Sequence, residues 1–321
     1  MEKILVTGGA GFIGTNVVEY LTKQKDFQIL SLDIKTPKID RHRSFWKQID
    51  LCDKEGLTDV VRSFAPDYVI HLGARTDLMG TCVEDYCANT IGVANLLEAL
   101  DGVPNLKRAI FTSSMLVCRV GYHPENENDY APSTFYGESK VKTEELVKSH
   151  STHYAWSLIR PTSIWGPWFG VPYANFFKMV LNHTYLNMGK HGCCKTYGYI
   201  DNAVYQIVSL LKADEVKMNK KVFYIGDYEP YNISEWAKEI GKEAHVFIPT
   251  IPFFFFKIGA FLGDILKDLH IPFPLTSFRL KNMTTDNVMD TTPIRAVAPC
   301  LPVDRKEGNK RTIAWLRTHN N

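Results

Sequence analysis

The sequence predicts a doubly wound α/β fold of Rossmann type, a parallel sheet with helices on both faces, followed by a smaller C-terminal lobe. Three observations predict it. Short β-rich runs alternate with helix-length segments through the first half, a glycine-rich turn follows the first run, and the rhythm breaks after Arg160 and Pro161.

The β-rich runs fall at 3–7, 28–32, 46–49, 68–72, 108–112 and 156–159. Between them, residues 12–25, 54–64, 83–100 and 134–149 carry apolar side chains at helical spacing. Such alternation brings each strand back parallel to its neighbours and covers both faces of the sheet. A stretch rich in Trp, Pro and Gly at 164–173 reads as irregular connection, before helices at 175–181 and 202–211 and a strand at 222–225 able to rejoin the sheet. The expected division is a sheet domain at 1–163 with return segments near 198–226, and a lobe built from 164–197 and 227–321.

Composition narrows the function classes. The 321 residues are 45% hydrophobic and 22% charged, ordinary for a chain that buries a sizeable core. With 37 Lys and Arg against 35 Asp and Glu, the net charge of +2 gives no broad reason to expect nucleic acid. The seven cysteines form no C-x-x-C pair and no His/Cys cluster of zinc spacing, so reduced thiols in the cytoplasm and no metal site are expected. Residues 1–8 enter a strand directly, without the pattern of a signal peptide. The most apolar stretch, 251–263, is interrupted by Lys257 and is shorter than the about 20 residues that cross a bilayer, so it reads as a core helix in preference to one on a membrane surface.

The glycine-rich turn gives the first chemical signal. Gly9, Gly11 and Gly14 fit G-x-G-x-x-G, with Gly8 beside them and Phe12 and Ile13 opening the helix. Small residues at such a strand-to-helix turn let the backbone approach a pyrophosphate at the positive helix N-terminus. The pattern alone is weak. It becomes specific because Asp33, followed by Ile34, ends the second strand nineteen residues after Gly14. A carboxylate there accepts the ribose hydroxyls and repels a 2′-phosphate, which favours NAD over NADP.

The second signal is Tyr136 and Lys140, four apart on one helix face. A phenol ionises near about pH 10, so it becomes a base at neutral pH only beside positive charge, which Lys140 and an oxidised nicotinamide would supply. Ser114, after the strand ending at Thr112, is the hydroxyl that would hold a substrate oxygen and steady the phenolate.

With these residues the chain resembles the extended short-chain dehydrogenase/reductase family of nucleotide-sugar epimerases and dehydratases, over nearly its whole length. The motifs are Thr7-Gly8-x-x-Gly11-x-x-Gly14, Asp33, Asp50-Leu51, His71-Leu72-Gly73-Ala74, Asn89, Thr112-Ser113-Ser114, Tyr136-x-x-x-Lys140 and Arg160-Pro161. The resemblance implies that Asp50 and Leu51 contact adenine, that Leu72, Gly73 and Ala74 line the cofactor with Asn89 nearby, and that Pro161 flanks the nicotinamide. It also implies a homodimer formed through the helices at 83–100 and 134–149.

Departures from the family patterns narrow the chemistry. Val117-Cys118-Arg119 stands where Val-Tyr-Gly is frequent. Met115-Leu116 replaces the Asp-Glu pair of sugar 4,6-dehydratases, so elimination has no acid and base there, and the absent Glu also disfavours decarboxylation. Met115 and Trp168 replace the Cys and His of fucose-synthase-type enzymes. What remains is a sugar epimerase that oxidises a hydroxyl, expected at C4, and returns the hydride to the other face. The alternative is a net oxidoreductase on a keto-sugar or sterol-like substrate; a catalytically silent NAD-binding regulator is a third reading.

For the substrate, a sugar diphosphate, the candidates are Arg75 and Asp77 at the fourth strand's exit, Trp165, Trp168, Asn175 and Tyr199 in the middle segments, and Arg279 as a diphosphate clamp. Arg75 with Asp77 equally suits a salt-bridged loop, Trp and Tyr equally suit a buried lobe interface, and Arg279 suits an exposed helix position. The C-terminal part, with Pro252, the Phe run at 253–256, Gly259, Asp264 and Arg279, resembles a branch acting on polyprenyl-diphosphate-linked amino sugars. That resemblance allows peripheral contact with the inner face of a membrane.

Overall fold

The computed structural model describes residues 1–269, 271, 273 and 275–319. Strand β1 (Glu2–Thr7) leads into α1 (Phe12–Gln24), β2 (Phe27–Asp33), β3 (Trp46–Gln48), α2 (Lys54–Phe64), β4 (Tyr68–His71), α3 (Ile91–Asp101), β5 (Arg108–Thr112), α4 (Phe135–Ser149) and β6 (Ala155–Pro161). Next come β7 (Ser163–Trp165), α5 (Tyr173–Leu181), β8 (Cys194–Lys195), β9 (Tyr197–Tyr199), α6 (Ile200–Lys212), α7 (Glu215–Met218) and β10 (Lys221–Ile225). The C-terminal part holds β11 (Tyr231–Asn232), α8 (Ile233–Ala244), α9 (Phe253–Asp268), α10 (Ser277–Thr284), α11 (Thr292–Val297) and α12 (Arg305–His319).

Seven strands make one sheet in the order β10-β6-β5-β4-β1-β2-β3. All its pairings are parallel. Strand order reverses between β1 and β4, so the crossovers on either side leave a crevice at the carboxyl ends of those strands. Each face is dry. Val17, Val18 and Leu21 of α1 and Ile207 of α6 bury one side, with Ile4 and Val6 beneath them. Leu57, Val61, Leu96, Leu100 and Val147 cover the other, over Leu5. A strand buried on both faces must be apolar at every position, which is why 4–6 reads as Ile-Leu-Val without alternation.

One expected helix is broken. The segment 83–100 splits into a 3₁₀ turn, Glu84–Asn89, and α3, with Tyr86 (φ −105°, ψ 39°) outside helical geometry. At the end of that turn the Asn89 side chain is fastened outside the segment: its Oδ1 accepts the Arg75 N–H at 2.9 Å and its Nδ2 donates to Arg75 O at 3.0 Å and Ser139 Oγ at 2.9 Å. The core-helix reading of 251–263 is also overturned. That segment lies mostly in α9, where Phe254, Phe255, Ile258, Phe261 and Leu262 are exposed.

The C-terminal lobe is built on aromatic packing. Trp165 lies 5.5 Å from Phe177, 4.9 Å from Tyr199 and 5.0 Å from Trp236 between ring centroids. Sheet and α4 are joined by a buried ion pair. Arg160 Nε and Nη2 donate to Glu144 Oε1 and Oε2 at 2.7 and 2.8 Å, and both side chains are essentially inaccessible. Ser113 and Tyr130 hydroxyls add bonds to the same carboxylate at 2.6 and 2.8 Å.

Arg160→Leu should strand a buried carboxylate and cost about 3–5 kcal/mol of stability in urea unfolding, while adding Glu144→Leu should recover part of that loss. A single variant as stable as the wild type would show that the pair does not hold α4 to the sheet.

Candidate active site

Parallel register aligns Thr7 with Leu32 and His71, His71 with Phe111, and Thr112 with Ile159. The strand exits therefore form one edge, and most of the predicted site residues lie along it.

The glycine turn fits a dinucleotide pyrophosphate. A Cβ on Gly8 would meet Gly73 N at 2.6 Å, and one on Gly14 would sit 2.0 Å from Gly8 O, so the turn closes only without side chains. Gly11 is the N-cap of α1, no side chain caps that end, and the first turn carries no acid. Phe12 and Ile13 follow, half-buried. An anion is therefore matched by an uncovered helix terminus. Asp33 Oδ2 accepts the Ala10 N–H and Oδ1 the Lys35 N–H, each at 2.9 Å. The carboxylate is oriented by the turn and retains lone pairs for ribose hydroxyls. Ile34 beside it is exposed.

Asp50 and Leu51, expected beside adenine, are built differently. Asp50 Oδ1 accepts the Cys52 N–H at 2.9 Å, and Leu51 is buried beneath Gly73 and Gly92, where added Cβ atoms would touch it at 2.7 and 2.8 Å. The Leu72 N–H donates to Thr7 O at 3.0 Å, which carries Gly73 and Ala74 out along the edge. Pro161 ends β6 opposite Ile225. Asn89 is wholly buried and bonded to Arg75 and Ser139, so it shapes this wall and offers no group to a cofactor.

Ser114, Tyr136 and Lys140 are all buried. Thr134 caps α4 by accepting the Gly137 N–H at 3.0 Å, which fixes where the helix carrying Tyr136 begins. Lys140 Nζ donates to Thr112 O at 2.9 Å, tying the ammonium to the end of β5. Burial lowers its pKa to about 8, with the Glu144 carboxylate acting the other way. Burial pushes the Tyr136 phenol up to about 12, against the Ser114 hydroxyl that favours its ionised form. The phenol thus stays protonated at neutral pH until more positive charge arrives.

Residues to which the sequence reading gave no role complete the site. Glu144, one turn beyond Lys140, fastens that stretch of α4 through Arg160 and Ser113. Tyr86, 1% exposed, packs behind Tyr136 with ring centroids 5.9 Å apart. His71 is fully buried, its Nδ1 2.7 Å from Thr7 Oγ1 and its Nε2 without a partner. Burial, aided by the Lys140 charge, depresses its pKa to about 3, so it is neutral. Glu144 was legible only as a polar residue four positions after Lys140; Tyr86 gave no signal, and His71 only its place in the His71-Leu72-Gly73-Ala74 motif.

The substrate candidates differ in where the structure places them. Arg75 and Asp77 pair with each other at 2.9 and 3.1 Å, while Arg75 Nη1 donates to Asp85 O, so they form the salt-bridged loop. Trp165 and Tyr199, 0% and 1% exposed, belong to the aromatic core and present no face for stacking on a sugar. Trp168 packs edge-on against Trp315 and His319 of α12. Asn175 on α5 and Arg279 on α10 are exposed.

A family model for the NAD dependent epimerase/dehydratase family matches residues 4–226. The undecaprenyl-diphospho-N-acetylglucosamine 4-epimerase of Escherichia coli O157:H7 is 27% identical, covering 99% of this chain and 96% of that protein. Among solved structures, UDP-glucose 4-epimerase from Thermotoga maritima superposes with a TM-score of 0.76 at 21% identity, covering 99% and 100% of the two chains. UDP-glucuronic acid 4-epimerase from Bacillus cereus, solved with NAD, gives 0.75 at 19% over 98% and 96%.

Gly14→Ala should leave the protein folded but remove NAD binding, read as nucleotide released on denaturation; undiminished NAD content would refute the fit of the turn. Because the His71 pKa is depressed below its unfolded value, stability should be full above about pH 6.5 and fall below it. From this group the slope reaches about 1.4 kcal/mol per pH unit between roughly pH 6 and 4. Denaturant titrations of His71→Gln should show a flatter slope in that window; an equal slope would mean another group is responsible.

Proposed function

Since the chain belongs to the NAD-dependent epimerase/dehydratase family, we propose that it is a sugar epimerase, inverting one carbon, C4, of a sugar carried on a diphosphate. The observation that carries this reading is a complete Ser114, Tyr136 and Lys140 set beside Met115 and Leu116, where elimination would need an acid and a base. The full-length likeness to an undecaprenyl-linked sugar 4-epimerase supports it.

When bound, NAD would supply the hydride acceptor and donor and positive charge beside the phenol. Tyr136 Oη takes the proton of the sugar hydroxyl and gives it back after inversion. Ser114 holds the same oxygen, and Lys140, anchored on Thr112 O, keeps its charge near the phenol. Return of hydride to the opposite face requires the 4-keto sugar to turn over, so binding energy belongs on the diphosphate, with Arg279 the proposed clamp. A homodimer through α3 and α4 belongs to the same reading; Ile91 and Phe135 are exposed on those helices. The described cysteines are unpaired thiols, compatible with the cytoplasm.

Incubation with UDP-sugars and with a polyprenyl-diphosphate amino sugar should yield C4 epimers without net change in cofactor absorbance; stoichiometric NADH formation would replace the epimerase by a net oxidoreductase. Tyr136→Phe should lower turnover by about 10²–10⁴-fold. The acid limb of the rate profile, set by phenol ionisation, should shift to higher pH in Lys140→Met, because the lost ammonium no longer stabilises phenolate; an unshifted limb would remove Lys140 from that role.

A further inference from the structure

Helix α9 is amphipathic in the wrong sense. Its inward side is made of Phe253, Phe256, Ala260 and Gly263, and the packing there is so close that a Cβ on Gly263 would lie 1.7 Å from Leu275 O. Its outward side carries Phe254, Phe255, Ile258, Phe261, Leu262, Ile265 and Leu269, between 40% and 65% exposed. The spacing 254, 258, 261, 265 makes one continuous stripe. Phe278 on α10 is 73% exposed and Phe247, just before α9, is 82% exposed. An apolar surface of this size on one helix marks an interaction site.

We propose that the exposed face of α9 and α10 seats the protein on an anionic lipid bilayer. Charge selects this occupant. Residues 247–283 carry Lys257, Lys267, Arg279 and Lys281 against Asp264 and Asp268, and Asp264 accepts the Ser277 N–H of α10 at 3.0 Å. Cations around an apolar stripe match acyl chains below and anionic headgroups beside them. A second copy laid on the same face by two-fold symmetry would instead bring cationic rim against cationic rim. With 16 residues α9 is about 24 Å long, and no helix of the described residues is long and apolar enough to span a membrane, so it lies on the surface.

This face leads to the catalytic wall. The chain leaving α10 is fastened to 193–196: Cys193 Sγ donates to Met283 O, Lys195 Nζ donates to Asn282 O at 2.7 Å, and the Asn287 N–H donates to Cys194 O at 2.9 Å. Asn287 Oδ1 then accepts the Gly121 N–H at 2.9 Å, and its Nδ2 reaches Met115 Sδ, next to Ser114, at 3.9 Å. With α9 seated on a bilayer, the segment that follows α10 thus runs from the membrane face to the wall beside Ser114. A sugar diphosphate whose carrier is a lipid would be met there, a consequence that rests on the sugar-diphosphate reading above.

The test is flotation of the full chain with vesicles of phosphatidylcholine alone and of phosphatidylcholine with phosphatidylglycerol. Wild type should float with the anionic vesicles. Phe255→Asp/Phe261→Asp should bind them about tenfold less or worse, Lys257→Glu/Lys267→Glu should lose the anionic preference, and both should keep the circular dichroism of the wild type. Wild type left in the soluble fraction with both vesicles, or dimerisation abolished by Phe255→Asp/Phe261→Asp without any vesicle binding, would overturn the proposal. Turnover of a UDP-sugar, measured separately, reports on the epimerase reading: vesicle binding without it would sink that reading and leave the membrane face standing.

Discussion

The carboxylate of Glu144 is the point on which the site depends. It lies buried, where burial alone would favour its neutral form, yet the guanidinium of Arg160, the Ser113 hydroxyl and Lys148 hold it charged, below the usual carboxylate range. Arg160 in turn faces the rings of Tyr130 and Tyr224. Such a pair contributes little net stability relative to apolar residues of the same volume. Its effect is positional. It locks α4 against β5 and β6, and those three elements carry Tyr136 and Lys140, Thr112 with Ser114 just beyond it, and Pro161.

Around that lock the electrostatics are arranged by burial more than by neighbours. Lys140 and His71 both lie in the interior, and both lose affinity for protons there. Neutral His71 leaves Lys140 as the cation of this cluster. The phenol of Tyr136 is correspondingly hard to ionise in the protein by itself. Base strength is therefore conditional on what is bound beside it, which keeps the phenol inert in the absence of a cofactor.

The fold was legible because its signals are local. Parallel strands buried on both faces write themselves as unbroken apolar runs, and the glycine turn and Asp33 are separated by one helix and one strand. Tyr136 and Lys140 were legible for the same reason, as a pair on one helical face. What escaped depends on distant partners. Asn89 sits in a segment of helical periodicity that breaks at Tyr86, and nothing near it in sequence announces its bonds to Arg75 and Ser139. Trp165 and Tyr199 have the character of sugar-stacking residues, yet Trp236 and Phe177, supplied by other helices, enclose them. For α9 the apolar run read as a core helix; the close approach of Leu275 to Gly263 and the packing of Phe253, Phe256 and Ala260 inward leave Phe254, Phe255, Ile258 and Phe261 outside.

The fastening of α4 has a consequence for the substrate. Tyr136, Lys140 and Glu144 ride on one helix that cannot swivel without breaking the bonds around Glu144, so the proposed proton-transfer group is stationary. A stationary group can serve both stereoisomers only if the ring presents two faces to it in turn. In the epimerase proposed above, recognition of the sugar itself is then loose, and discrimination among substrates shifts to whatever grips the far end of the molecule. Such an enzyme would be tolerant toward the sugar and strict toward its carrier.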